Sequence, residues 1–216
     1  MFQQLSFVLL ASTLLLSACG DLTTSNPSGS NTSGATAIAS PTTGGSSTSS
    51  GSTSTNGFPA SVKSIALEAN KTFEVKGNLD QGETITDLTW ASNSSVACFP
   101  ATQNNNFKAK HSLFHTALPP RSIMKIKLIP DDTSGAAMSL YAYQIGTTNY
   151  SVVPKLSSAV TCEADHIKDR PVVGKVEDGT RSVELNATTN PYNAVIGVSG
   201  AEGASGGYTL QITLEQ

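Results

Sequence analysis

Three histidines, two adjacent aspartates and one serine set among glycines are the side chains of this 216-residue chain whose types and spacing bear on metal binding or catalysis. His111 and His115 lie four apart, which puts both on one face of a helix and equally on one face of a strand. With His166, and the carboxylates of "CEADH" around it, they would make a scattered three-histidine zinc site. No HExxH accompanies them, and solvent-facing histidines are the other reading. Asp131 and Asp132 in "PDDTSG", with Ser134 and backbone carbonyls, could hold a structural calcium, which accepts oxygen ligands in flexible loops. An ordinary acidic turn accounts for the same residues, because aspartate bonds its own backbone there. Glu177-Asp178-Gly179 reads the same way. Gly203-Ala204-Ser205-Gly206-Gly207 satisfies GxSxG, the nucleophile elbow of hydrolases, which needs a helix after it and an acid and a histidine further on. Only nine residues follow Gly207 and none is histidine. The stretch is better read as a hairpin turn between two strands, and no catalytic residues are assigned.

Binding chemistry has a second set of candidates. Trp90, Tyr141, Tyr143, Tyr150 and Tyr192 could stack against sugar rings where several lie outside the core. Trp90, Tyr141 and Tyr143 are the binding candidates. Tyr141 and Tyr143 share a strand face, so they are exposed together or buried together, with burial preferred. Of three cysteines, Cys98 and Cys162 form an even pair once Cys19 is set aside. They are either bridged, closing a long loop worth about 4 kcal/mol of chain entropy, or two buried free thiols.

Charge is distributed unevenly over what must position these residues. No Lys or Arg precedes Lys63 and the only acidic residue before it is Asp21, so all 13 basic and 15 of the 16 acidic residues lie beyond. Without a clustered basic surface there is no nucleic-acid partner and no polybasic membrane patch. Phe7 to Leu16 is an apolar run as long as a signal-peptide core and too short to cross about 30 Å of hydrocarbon. It ends in Leu16-Ser17-Ala18-Cys19, four residues that resemble the lipobox of bacterial lipoproteins. The n-region "MFQQLS" lacks Lys and Arg, leaving the terminal amine as its positive charge. The resemblance implies cleavage before Cys19 and a diacylglyceryl thioether on its sulfur, with a signal peptide over 1–18. An ordinary secretory signal cut elsewhere is the other reading. Several acyl chains hold a protein at a bilayer where one holds it only marginally. Gly20 after Cys19 resembles outer-membrane lipoproteins. The expected location is therefore the bacterial cell envelope, with the membrane as partner through the N-terminal lipid.

From Asp21 to Gly57, 26 of 37 residues are Ser, Thr or Gly. Such a segment cannot bury enough apolar surface to offset its ordering entropy, so a disordered tether reaching roughly 30 to 35 Å is expected over 19–57. From Phe58 to Gln216 short apolar segments alternate between turn residues. "KSIALEA" places Ile65 and Leu67 on one face and "KTFEVKG" does so with Phe73 and Val75, with Asn70 turning between them. "SIMKIKLIP" sets Met124, Ile126 and Leu128 against Ile123, Lys125 and Lys127. "YTLQITLEQ" sets Tyr208, Leu210, Ile212 and Leu214 against Thr209, Gln211 and Thr213. Strands at intervals of about ten to fifteen residues, with no long helical pattern, predict an all-β domain over 58–216, a β-sandwich or jelly roll.

The stretch "NPYNAVIGVSGAEGASGGYTLQITL" resembles the end of the bacterial pre-peptidase C-terminal domain. Tyr192, Val195, Gly197, Val198 and Gly200 match its penultimate strand, and Gly207, Tyr208, Thr209 and Leu210 its last. "IMKIKLIPDD" followed by "MSLYAY" is similar to its central strands. Between Ser92 and His115 and between Val152 and Arg181 the match is poor. The resemblance implies a β-sandwich accessory module that binds matrix, polysaccharide or protein, and related collagen-binding domains use calcium. The expected function is an envelope binding or adhesion module for glycan, matrix or protein. A structural or assembly lipoprotein with an envelope-protein partner ranks second, and an enzyme third.

Overall fold

Alternation of apolar and polar residues dictates strands with one face for the core and one for water. "SIMKIKLIP" and "YTLQITLEQ" form such strands side by side, with Ile212 opposite Ile126 and Leu214 opposite Met124. The computed structural model describes residues 57–132, 137–168, 173–174 and 177–216. The chain divides into Met1–Ser47 and Thr48–Gln216, and the described residues belong to the second unit. The expected signal peptide, Cys19 and the tether up to residue 56 lie outside them.

The elements are β1 (Lys63–Ser64), β2 (Lys71–Asn78), β3 (Glu83–Thr84), α1 (Thr89–Ser92), β4 (Lys110–Leu118), β5 (Ser122–Pro130), β6 (Met138–Gly146), β7 (Thr161–Asp165), β8 (Arg181–Ala187), β9 (Tyr192–Gly200) and β10 (Gly207–Glu215). Single 3-10 segments cover Leu79–Gln81 and Ala101–Phe107. One sheet runs β2-β10-β5-β8, and the other runs β1-β4-β9-β6-β7 with β3 also on β4. The fold is an all-β sandwich. Between the sheets lies one core, built from Met124, Ile126, Leu128, Tyr208, Leu210 and Ile212 on one side and Phe114, Leu140, Ala142, Ile196 and Val198 on the other.

A second core lies on the far face of the larger sheet. β6 is buried from Met138 to Ile145 on both faces. Met138, Leu140 and Ala142 enter the inter-sheet core, while Tyr141, Tyr143 and Ile145 join Leu113 and Val195 in the second one. Phe58, Leu88, Trp90, Phe99, Phe107 and Leu156, all from segments outside the strands of the two main sheets, cover that face. This covering layer is tied down by backbone bonds from Ala159 N–H to Ser95 O at 3.0 Å and from Val160 N–H to Gln144 O at 2.8 Å. Ser139 adds a bond from its hydroxyl to Asn106 O at 2.8 Å. Cys98 and Cys162 form a disulfide that joins the segment after α1 to β7. Of the two readings left open for these cysteines, the bridge is the one found.

Two buried tyrosines lie across strands on glycines. Tyr141 pairs with Gly197 and Tyr208 with Gly77, and each ring occupies the space that a Cβ on the glycine would need. Two expectations are corrected. Ile65 and Leu67 do not form a strand: only Lys63–Ser64 pairs, parallel to β4, and both side chains pack against the inter-sheet core as loop residues. The turn over 201–206 is not a hairpin, because β9 and β10 belong to different sheets and the turn carries the chain from one to the other. Gly203 (φ 83°) and Gly206 (φ 99°) adopt the left-handed backbone that this crossing uses.

Gly197→Ala is expected to lower unfolding free energy by about 1 to 3 kcal/mol, through overpacking against Tyr141. Gly146→Ala, whose added Cβ meets nothing within 4 Å, should stay within about 0.5 kcal/mol. Urea unfolding of the two variants beside the parent checks both, and equal losses would exclude the Tyr141 contact as the cause.

Candidate functional site

β4 carries two of the three histidines, and the covering layer decides their surroundings. His111, Leu113 and His115 alternate with Ser112, Phe114 and Thr116, so the histidines face the second core. Both are buried, which corrects the solvent-facing reading. The His111 ring is engaged at both nitrogens: Nε2 lies 3.0 Å from Phe107 O and Nδ1 2.9 Å from Tyr141 Oη. A carbonyl only accepts, so Nε2 carries the proton; in the neutral ring Nδ1 then accepts from the tyrosine hydroxyl. Burial pulls His111 down from its ordinary 6.5 to about 4, outweighing the opposite effect of the bond to Phe107. Burial also pushes the Tyr141 hydroxyl well up. With both nitrogens occupied, His111 has no lone pair left for a metal. His166 is half-buried elsewhere, with Nδ1 3.1 Å from Asn106 Nδ2. Among the described residues no group of three or more His, Cys, Asp or Glu side chains converges to hold a metal.

Asp131 and Asp132 are exposed in the turn after β5. Asp131 N–H donates to Gly207 O at 3.0 Å and its carboxylate lies over Gly207. Asp80, in a neighbouring turn, accepts from Gly206 N–H at 3.2 Å. Ser134, the third residue of the calcium reading, is outside the described residues.

The stacking platform is also corrected. Trp90 is 3% exposed and Tyr141 and Tyr143 are fully buried, so none of the three offers a ring face to a ligand. Trp90 packs on Phe99 and Tyr141 at 5.6 and 5.4 Å between centroids. The exposed ring is Tyr150, at 41%.

Tyr150 borders a cleft of about 420 Å³ lined also by Phe58, Ser64, Ile65, His115, Thr116, Ala117, Thr147 and Asn193. Its loop is pinned. Asn193 Nδ2 on β9 donates to the carbonyls of Thr147 and Asn149 at 3.1 and 3.0 Å, and Ser151 N–H donates to Asn149 Oδ1 at 2.9 Å. Gly57 (φ 82°) lies against the Tyr150 ring, so close that a Cβ there would touch it. Phe58 fixes the floor, stacked on His115 at 4.2 Å and edge-on to Tyr150 at 5.2 Å.

His115 is the polar group of this cleft. It is 7% exposed, shut off by Phe58 yet shallow. Among the described residues its ring nitrogens have no hydrogen-bond partner, unlike those of His111 and His166. Burial lowers its pKa, favouring the neutral ring with one donor and one acceptor. None of the nine lining residues is Asp, Glu, Lys or Arg. The larger cleft, about 490 Å³, combines Asp87, Lys108 and Glu202 with a buried, unbonded Asn104 Oδ1 and no aromatic face. Sequence reading named Tyr150 beside the other aromatics but had no signal to separate it from them. His115 entered only as half of a metal pair.

No protein-family model matches the chain, and no curated protein matches it in sequence. Among solved structures it is similar to the periplasmic inhibitor of g-type lysozyme from Aeromonas hydrophila, with TM-score 0.37, 9% identity and coverage of 71% of this chain and 96% of that one. It is also similar to CorA, a surface-associated copper-binding protein of Methylomicrobium album BG8, with TM-score 0.40, 8% identity and coverage of 71% and 98%. A third is the K3 cleaved adhesin domain of Lys-gingipain from Porphyromonas gingivalis, with TM-score 0.30, 12% identity and coverage of 50% and 69%. These are distant likenesses of strand arrangement and transfer no ligand to this chain.

His111 sets an acid limit on the fold. The unfolded chain takes up a proton near pH 6.5 while the folded one resists it until about 4. Stability is therefore fully present above pH 6.5 and falls by about 3 kcal/mol as pH drops to 4. Asp87 and Asp178, lowered by bonds from Thr89 and Thr180, act in the same direction only below the ordinary carboxylate range. Urea midpoints measured from pH 7.5 to 4 should fall steeply for the parent and with a shallower slope for His111→Gln.

Proposed function

We propose that this chain is a lipid-anchored protein of the bacterial envelope whose β-sandwich is a binding module, with the Tyr150 cleft as its contact and a glycan as its ligand. One observation carries the reading: an exposed tyrosine ring and a buried histidine with no partner among the described residues share a preformed cleft that no Asp, Glu, Lys or Arg lines. A sugar ring has apolar C–H faces that stack on an aromatic ring and a rim of hydroxyls that both donate and accept. Neutral His115, with Ser64, Thr116 and Thr147, meets such a rim without leaving a charge desolvated. Pinning of the Tyr150 loop by Asn193 spares the ligand the cost of ordering it. Attachment through Cys19 follows from the "LSAC" resemblance and the apolar run before it.

Assembly with another envelope protein is the second reading, favoured by the free edge of β2, which pairs only with β10 among the described residues.

Glycan-array binding should single out a neutral saccharide. Tyr150→Ala should weaken it roughly 10- to 30-fold, the scale of losing an aromatic anchor, with melting unchanged. A variant that binds as well as the parent would remove the cleft from the account. Separately, Cys19→Ala should move the protein from the detergent phase to the aqueous phase and abolish incorporation of labelled palmitate. Retention of either property would exclude the lipid anchor.

A further inference from the structure

β2 is an eight-residue edge strand, Lys71–Asn78, and among the described residues its outer edge makes no backbone hydrogen bond. An exposed row of N–H and C=O groups is a template for another strand unless something blocks it. β2 contains no proline, no bulge interrupts its register with β10, and among the described residues no other strand pairs with it. Its inward side chains, Phe73 and Val75, share a face with the buried Ile212 and Leu210 opposite them, yet both stay half-exposed. The inter-sheet core is therefore incomplete along this edge.

The charges on the outward face decide what completes it. Two copies of β2 pairing antiparallel about a two-fold axis place residue i opposite S − i, and the pleat requires S to be even so that inward side chains meet inward ones. Centring on Glu74 puts Glu74 against Glu74, and centring on Lys76 puts lysine against lysine, both unfavourable. Centring on Val75 puts Val75 opposite Val75, Phe73 opposite Gly77 and, twice over, Glu74 opposite Lys76. Gly77 adds no side chain of its own, and the Tyr208 ring already lies over it, so Phe73 meets an aromatic surface. The geometry points to a second copy of this chain as the occupant of the β2 edge, in the register centred on Val75. The two four-stranded sheets become one eight-stranded sheet, with each copy's apolar edge covered by the other's. Lys71 takes no part in this pairing, because it is bonded to Glu68 on its own copy.

Charge exchange at positions 74 and 76 tests both the partner and the register. The mass of the full chain, purified from membranes in detergent, is measured by sedimentation velocity across a dilution series. The parent should be dimeric. Lys76→Glu and Glu74→Lys should each weaken the dimer by on the order of tenfold or more, since two attractive pairs become two repulsive ones. The double variant Glu74→Lys/Lys76→Glu should restore it. Circular dichroism melts unchanged by these exposed substitutions keep the comparison free of unfolding. A parent that stays monomeric at the highest soluble concentration overturns the proposal, as does a dimer indifferent to both single reversals. A double variant as weak as the singles overturns the register and the proposal with it.

Discussion

β6 and its neighbour β9 are buried on both faces, and that constraint shapes the rest of the molecule. A sandwich needs only one apolar face per sheet. Here the larger sheet presents Tyr141, Tyr143 and Val195 on its far side as well. Apolar area of that size, at about 25 cal/mol per Å², cannot be left in water without a large penalty. The segments between the strands therefore become a third layer rather than free loops. Its backbone groups find partners in Gln144, Ala91 and Ser95, and the hydroxyls of Ser139 and Tyr143 in the sheet beneath donate to its Asn106 and Ser151 carbonyls. The disulfide locks the layer to β7, and His111 bonds it to Tyr141 through Phe107. The cleft is a by-product of this arrangement. At Tyr150 the covering layer gives way to solvent, where Phe58 of that layer stacks on His115 of the sheet beneath.

Where a strand keeps one face in water, its sequence announces it. β2, β5 and β10 read as clean alternation because Lys, Glu, Thr and Gln fill the solvated side, and their registers follow. β4, β6 and β9 hide more. "KHSLFHTAL" has polar residues on both faces although both are buried, because His111 is satisfied by a hydroxyl and a carbonyl that come from distant segments. Nothing local in the sequence distinguishes such a histidine from a solvated one. The same holds for the aromatics: Trp90 looks as available as Tyr150, and only the third layer makes one interior and the other exposed. The count left Cys98 and Cys162 as an even pair once Cys19 is set aside, bridged or free, and only the folded chain brings them together as a disulfide. The turn at 201–206 was legible from its glycines as a turn. Its crossing between sheets was not, because glycine content fixes the backbone angles of a turn and not the partners of the strands it joins.

Electrostatics divides the surface between two tasks. The outer face of the smaller sheet carries Lys125 bonded to Glu215 and Glu74 bonded to Gln211, beside Lys76, Lys127 and Glu184. The Tyr150 cleft has no such charges, and a neutral ligand entering it desolvates only hydroxyls, an amide and a neutral imidazole. These are groups that exchange water for ligand at little cost when the partners are complementary.

The proposed self-pairing and the proposed ligand cleft use different sheets, so neither would obstruct the other. β2 belongs to the four-stranded sheet, whereas His115, Thr116 and Asn193 stand on β4 and β9 of the six-stranded one. A dimer formed through β2 carries two clefts on one rigid body, with their separation set by the joined sheet rather than by a linker. Single saccharide sites with a shallow, mostly hydroxyl-bonding floor bind weakly, because much of what they gain replaces hydrogen bonds to water. Two sites held at a fixed spacing convert the second contact into an intramolecular one, and the gain reaches 10²- to 10⁴-fold only when the ligand repeats at that spacing. A repeating polymer would satisfy that condition, whereas a free monosaccharide would not. Pairing of the edge strand, as proposed, would thereby act on the selectivity of the proposed cleft without touching it.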